Sequence, residues 1–163
     1  MRATLEAHLG SRKVARVVYG SIIGLTLVVA LADHPPSAGV MAAWLVLSGV
    51  AVALAEVYSE VLGAQTEQRR RIPHSQLAHV VEDAVAVAVG VGLPAVFFLL
   101  AAVGLMQLDT AFTVAKWAGL GLIGFYGYWA ARFAGSSVPR ALVQATLVAA
   151  VGGAVIGFKA LLH

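Results

Sequence analysis

Residues 38–71 read AGVMAAWLVLSGVAVALAEVYSEVLGAQTEQRRR. No proline interrupts them, and the run is apolar as far as Leu54 before Glu56, Tyr58, Glu60, Glu67 and Arg69 to Arg71 change its character. A helix of this length would measure roughly 50 Å at 1.5 Å per residue, longer than a hydrocarbon core of about 30 Å. The pattern therefore predicts a membrane-spanning helix whose acidic and basic end projects beyond the bilayer. The whole chain agrees with that reading. Of 163 residues 60% are hydrophobic and 12% charged, with mean hydropathy +0.88, where a soluble domain carries about 25% charged residues to solvate its surface.

Outward from this run, Asp33-His34-Pro35-Pro36-Ser37 breaks any helix on its N-terminal side, since proline lacks the backbone donor and clashes with the preceding turn. Before it, residues 14–32 form an apolar segment behind Arg2, Arg12 and Lys13. On the other side, Pro73 suits a first helical turn, and His74 leads without a breaker through Asp83 into an apolar run ending at Leu108. Segments two and three should thus form a hairpin extended into the cytoplasm, turning near Ile72. Gly90, Gly92 and Pro94 predict a kink within segment three. Residues 111–133 carry Trp117 and Trp129 near opposite ends, where indoles favour the membrane interface. Residues 139–162 carry Gly153 and Gly157 in small-xxx-small spacing. The expected fold is all-α: one polytopic membrane domain over residues 1–163, with five spans at about 14–32, 38–63, 84–108, 111–133 and 139–162.

Basic residues set the orientation. With the N-terminus in the cytoplasm, nine lie on the inner side (Arg2, Arg12, Lys13, Arg16, Arg69, Arg70, Arg71, Arg132 and Arg140), against Lys116 and Lys159 outside. The positive-inside rule then places the C-terminus outside, in a bacterial plasma membrane by the Ala, Val and Gly richness. The grouping reads as topology and lipid contact, with no nucleic-acid partner implied. The absence of cysteine excludes thiolate chemistry and disulfides, and no phosphate loop, nucleophile elbow or dinucleotide fingerprint occurs, so no enzymatic activity is expected.

Scarce charge near a bilayer points to function, because a buried charge costs several kcal/mol, on the order of 3 at a helix centre, unless something compensates it. Gly49, Ala53, Glu56, Glu60, Gly63 and Glu67 recur at steps of three and four on one helical face, small in its outer half and acidic in its inner half. His79, Glu82 and Asp83 share a second face. A turn near Ile72 sets Glu60 opposite about position 85, so that His79, Asp83 and Glu60 would converge. Carboxylates with an imidazole suit Fe(II), Mn(II) or Zn(II). The expected metal residues are Glu56, Glu60, His79, Glu82 and Asp83. Wet interfacial carboxylates paired with Arg132 or Arg140 are the plainer alternative.

Several stretches carry a resemblance: Val18-Tyr19-Gly20-Ser21, Ala53-Leu54-Ala55-Glu56-Val57-Tyr58-Ser59, Gly92-Leu93-Pro94, and the run from Ala131 to Leu142. Together they resemble the vacuolar iron transporter family. The resemblance implies five spans, a cytoplasmic N-terminus, a homodimer and a divalent metal ion as substrate, with Glu56 the site residue matched by position. The chain departs from the family in three ways. Ile22 and Ile23 stand where an acid is expected after the Tyr-Gly pair, Val52 to Ala55 contains no methionine where one is expected before Glu56, and the glutamate-rich cytoplasmic domain is reduced to the hairpin. Those losses motivate a second expectation, a non-transporting scaffold or partner subunit with an unknown protein partner. A channel for another small solute is a third.

Overall fold

A computed structural model describes residues 12–68 and 74–161, and all their regular structure is helical. The elements are α1 (Arg12–Leu31), α2 (Ala38–Gln68), α3 (His74–Gly92), α4 (Ala95–Ala102), α5 (Leu108–Phe133) and α6 (Val138–Leu161). Helix α2 runs unbroken for 31 residues, as the proline-free sequence requires. The expected turn near Ile72 lies outside the described residues. Leu93-Pro94 separates α3 from α4, and the two are bent by 48° at the break, which is the kink the glycines and proline predict. Two glycines in the left-handed region end helices where only glycine adopts that conformation readily. Gly104 (φ 80°) closes α4 and Gly135 (φ 81°) closes α5, each followed by a residue whose N–H bonds back to a carbonyl five positions earlier, Leu100 and Ala131 respectively.

Three helices are long and apolar enough to cross a membrane, over Val14–Leu31, Ala38–Ala64 and Val138–Phe158, and the bent pair α3 and α4 makes a fourth if it forms one span. The count expected from sequence was five. The difference is α5: its 26 residues suffice in length, but Lys116, the glycines at 119, 121, 124 and 127 and the polar aromatic groups dilute its apolar character. Large apolar side chains point outward along the bundle, among them Leu47, Leu54, Leu99, Leu147 and Phe158. Such a surface is unfavourable in water and natural against acyl chains.

Helix α3 is the axis of the first half. Helices α1 and α2 each pack along it and scarcely touch one another, while α5 lies between α1 and α6. Contact between α1 and α3 is backbone against backbone, at Gly20 and Gly24 on one helix and Gly90 on the other. A larger core sits at the end remote from Arg16, where Val28, Met41, Leu45, Phe98, Ala111 and Phe112 are buried together. Phe98 and Phe112 meet edge to face with ring centroids 4.8 Å apart. Replacing Phe98 by leucine keeps most of the volume but loses the ring pair, so a destabilisation of about 1 kcal/mol is expected, read as a lowered melting temperature in detergent.

Candidate functional site

Arg16 lies one turn into an otherwise apolar stretch of α1, between Val14 and Val18. Its guanidinium reaches across to α2 and pairs with both acids of the small-and-acidic face. One Nη contacts the Glu56 carboxylate and the other donates to Glu60 Oε1 at 2.8 Å. The i, i+4 spacing of the two glutamates places both on the side of α2 that meets the fork of the guanidinium. Because α1 and α2 hardly pack, this long side chain bridges them as a polar tie. The cluster is only partly wet: side-chain exposure is 16% for Glu56, 27% for Arg16 and 47% for Glu60. Two carboxylates against one guanidinium leave a formal charge of about −1, so lone pairs remain to accept a proton or share a cation.

His79 and Glu82 are exposed on α3, and Asp83 is half-buried. Among the described residues no three His, Asp or Glu side chains gather closely enough to hold a metal ion, so the expected convergence of Glu60, His79 and Asp83 does not occur. For Asp83 the cause is register. Gly49 packs on the Ala88 backbone, where an added Cβ would stand 3.0 Å from the carbonyl oxygen. Counting eleven residues along each antiparallel helix from that contact puts Glu60 level with Leu77, eight residues short of the position expected from a turn at Ile72. That is a displacement of about 12 Å. Asp83 is then level with Leu54. Glu67 and His74 have side chains outside the described set.

No protein-family model, curated protein or solved structure matches the chain. The residues themselves must therefore carry the functional reading.

Two clefts flank α1 at the Arg16 end, and Tyr126 of α5 lines both. The one between α1, α3 and α5 has a volume of about 450 Å³, and Glu82 stands among Val17, Val85 and Leu122 in its wall. The other opens between α1, α5 and α6 with a volume of about 490 Å³ and a mostly apolar wall. The sequence reading missed Arg16 as a partner for the acids, having assigned it to topology. Its signal was present: a guanidinium inside an apolar helix needs an anion at the same depth, and Glu56 and Glu60 were the nearest candidates.

Proposed function

We propose that the chain is a five-span membrane transporter of the vacuolar iron transporter type, which moves a divalent cation, Fe(II), Mn(II) or Zn(II), in exchange for protons. The observation that carries this reading is the excess carboxylate of the Arg16, Glu56 and Glu60 cluster on a spanning helix. Arg16 acts as a tethered counterion that holds the acids together when no substrate is present. An arriving cation displaces the guanidinium from one carboxylate, and protons take the cation's place on the return step. His79, Glu82 and Asp83 attract the cation at the cytoplasmic mouth. In this reading α5 is the remaining span, the N-terminus is cytoplasmic, the C-terminus lies outside the bacterial plasma membrane, and two copies form a homodimer.

A second reading has support of its own. A scaffold or partner subunit would keep the ion pair as a fastening and need no metal ligands, in keeping with the lack of a three-residue group among the described residues. Uptake of Fe(II), Mn(II) and Zn(II) into proteoliposomes separates the two. The transporter reading expects flux above empty liposomes for at least one metal, falling about tenfold or more in Glu56→Gln with Glu60→Gln, as removal of intramembrane charges that bind the ion requires. Equal flux in native and variant protein removes the site, and no flux in either favours the scaffold.

A further inference from the structure

We propose that the cleft between α1, α5 and α6 is a binding site for one acyl chain of an anionic phospholipid, whose phosphate is held by Arg140. The cleft exists because the facing positions are small. Ala15 on α1, Gly127 and Ala130 on α5 and Ala134 just beyond its end leave a space of about 490 Å³. That lies within the range of about 300–1,000 Å³ typical of small-molecule sites and is far too large for a single ion. Its wall suits an apolar occupant better than a metal or a free anion, since Tyr126 and Gln144 are the polar side chains that line it among the described residues.

Gln144 also decides where a polar headgroup would go. It lines a shallower groove on the outside of α6 together with Pro139, Arg140 and Val143, so the apolar cleft leads past one amide to a guanidinium. Arg140 is exposed and pairs with no carboxylate among the described residues. Arg132, at the same end of the bundle, is turned toward the link between α5 and α6, where it donates to the Ser136 carbonyl at 2.8 Å. Arg140 is therefore the guanidinium that borders the groove joined to the apolar cleft at Gln144. An apolar tail below a phosphate matches this order of surfaces, and basic pockets between membrane helices hold acidic headgroups in this way.

The site is independent of how the glutamates act, because Arg16 turns away from this cleft toward α2. Native mass spectrometry of the full chain in detergent tests it, with phosphatidylglycerol and phosphatidylcholine of identical chains added after delipidation. The native protein should retain one phosphatidylglycerol with about fivefold preference over phosphatidylcholine, the effect of one basic residue beside an anionic headgroup. Arg140→Gln, an exposed change that leaves packing intact, should abolish the preference. Lys116→Gln, toward the other end of α5, should leave it unchanged. Ala130→Leu should reduce retention of both lipids by filling the cleft. Equal retention of the two lipids by the native chain overturns the proposal, as does an unchanged preference in Arg140→Gln. A dimer that excludes lipid and dissociates in Ala130→Leu would instead assign the cleft to a second copy.

Discussion

Gly90→Ala is expected to cost the folded bundle about 3 kcal/mol, the upper end of what overpacking usually costs, and to abolish a monodisperse preparation. A Cβ at position 90 would lie 2.3 Å from the Val17 carbonyl oxygen, 2.8 Å from the Ser21 nitrogen and 3.0 Å from the Gly20 carbonyl carbon. All three atoms are backbone, so no rotamer change relieves the overlap and the helices must separate. The reverse contact is as close, with a Cβ on Gly20 falling 2.1 Å from the Val87 oxygen and one on Gly24 falling 2.6 Å from the Val91 oxygen. In a bilayer this separation is especially damaging. Helix association there rests on close van der Waals contact, because lipid tails offer the separated faces an equally apolar environment. Gly121→Ala is the matched control. Nothing approaches within 4 Å of that position, and alanine's better helix propensity should leave stability unchanged or raise it by up to about 1 kcal/mol. Tryptophan-fluorescence melting and size-exclusion profiles in detergent compare the two, and the same behaviour in both variants would contradict backbone contact between α1 and α3.

Arg16→Gln should destabilise the bundle by about 2 kcal/mol, the scale of a charged hydrogen bond lost from a partly buried pair. Glu56 supplies most of that loss, being mostly buried, while the wetter Glu60 is partly screened and contributes less. The sign can be checked by a second substitution. Adding Glu56→Gln to Arg16→Gln removes the carboxylate left without its partner, so the double variant should melt above the single one. If Arg16→Gln melts with the native protein, the pairing is a surface contact of no consequence.

Much of this architecture was legible in the chain. Prolines at 35, 36 and 94 marked breaks that the helices obey, and four of the five apolar runs match single helices with ends displaced by a few residues, while the third, expected over 84–108, is split at Leu93-Pro94 and ends at Ala102. Glycines were less easily read, because spacing alone does not say which face has a neighbour. Gly20 and Gly24 are contact residues, whereas Gly153 and Gly157, which have the small-xxx-small spacing, have nothing beside them among the described residues. Gly90, taken with Gly92 as a cause of the kink, sits in the tightest helix crossing, while Gly92 is open. The acidic face of α2 was readable from its three-and-four spacing. Its level against α3 was not, because the turn midpoint was used to set the register, and packing of Gly49 on Ala88 sets it instead.

The central claim is that Glu56 and Glu60 handle a cation and do more than fasten α1 to α2. Exchanging the charges tests it most directly, by combining Arg16→Glu with Glu56→Arg and measuring divalent-cation flux in proteoliposomes beside the melting temperature. The exchange keeps an ion pair between the helices and the same net charge, but it moves one carboxylate off the spanning helix α2. Melting close to the native value with flux reduced about tenfold or more is the predicted result, since a site that binds an ion loses function when its geometry changes even if its charge does not. Full flux in the exchanged protein, or none in the native one, would contradict the claim.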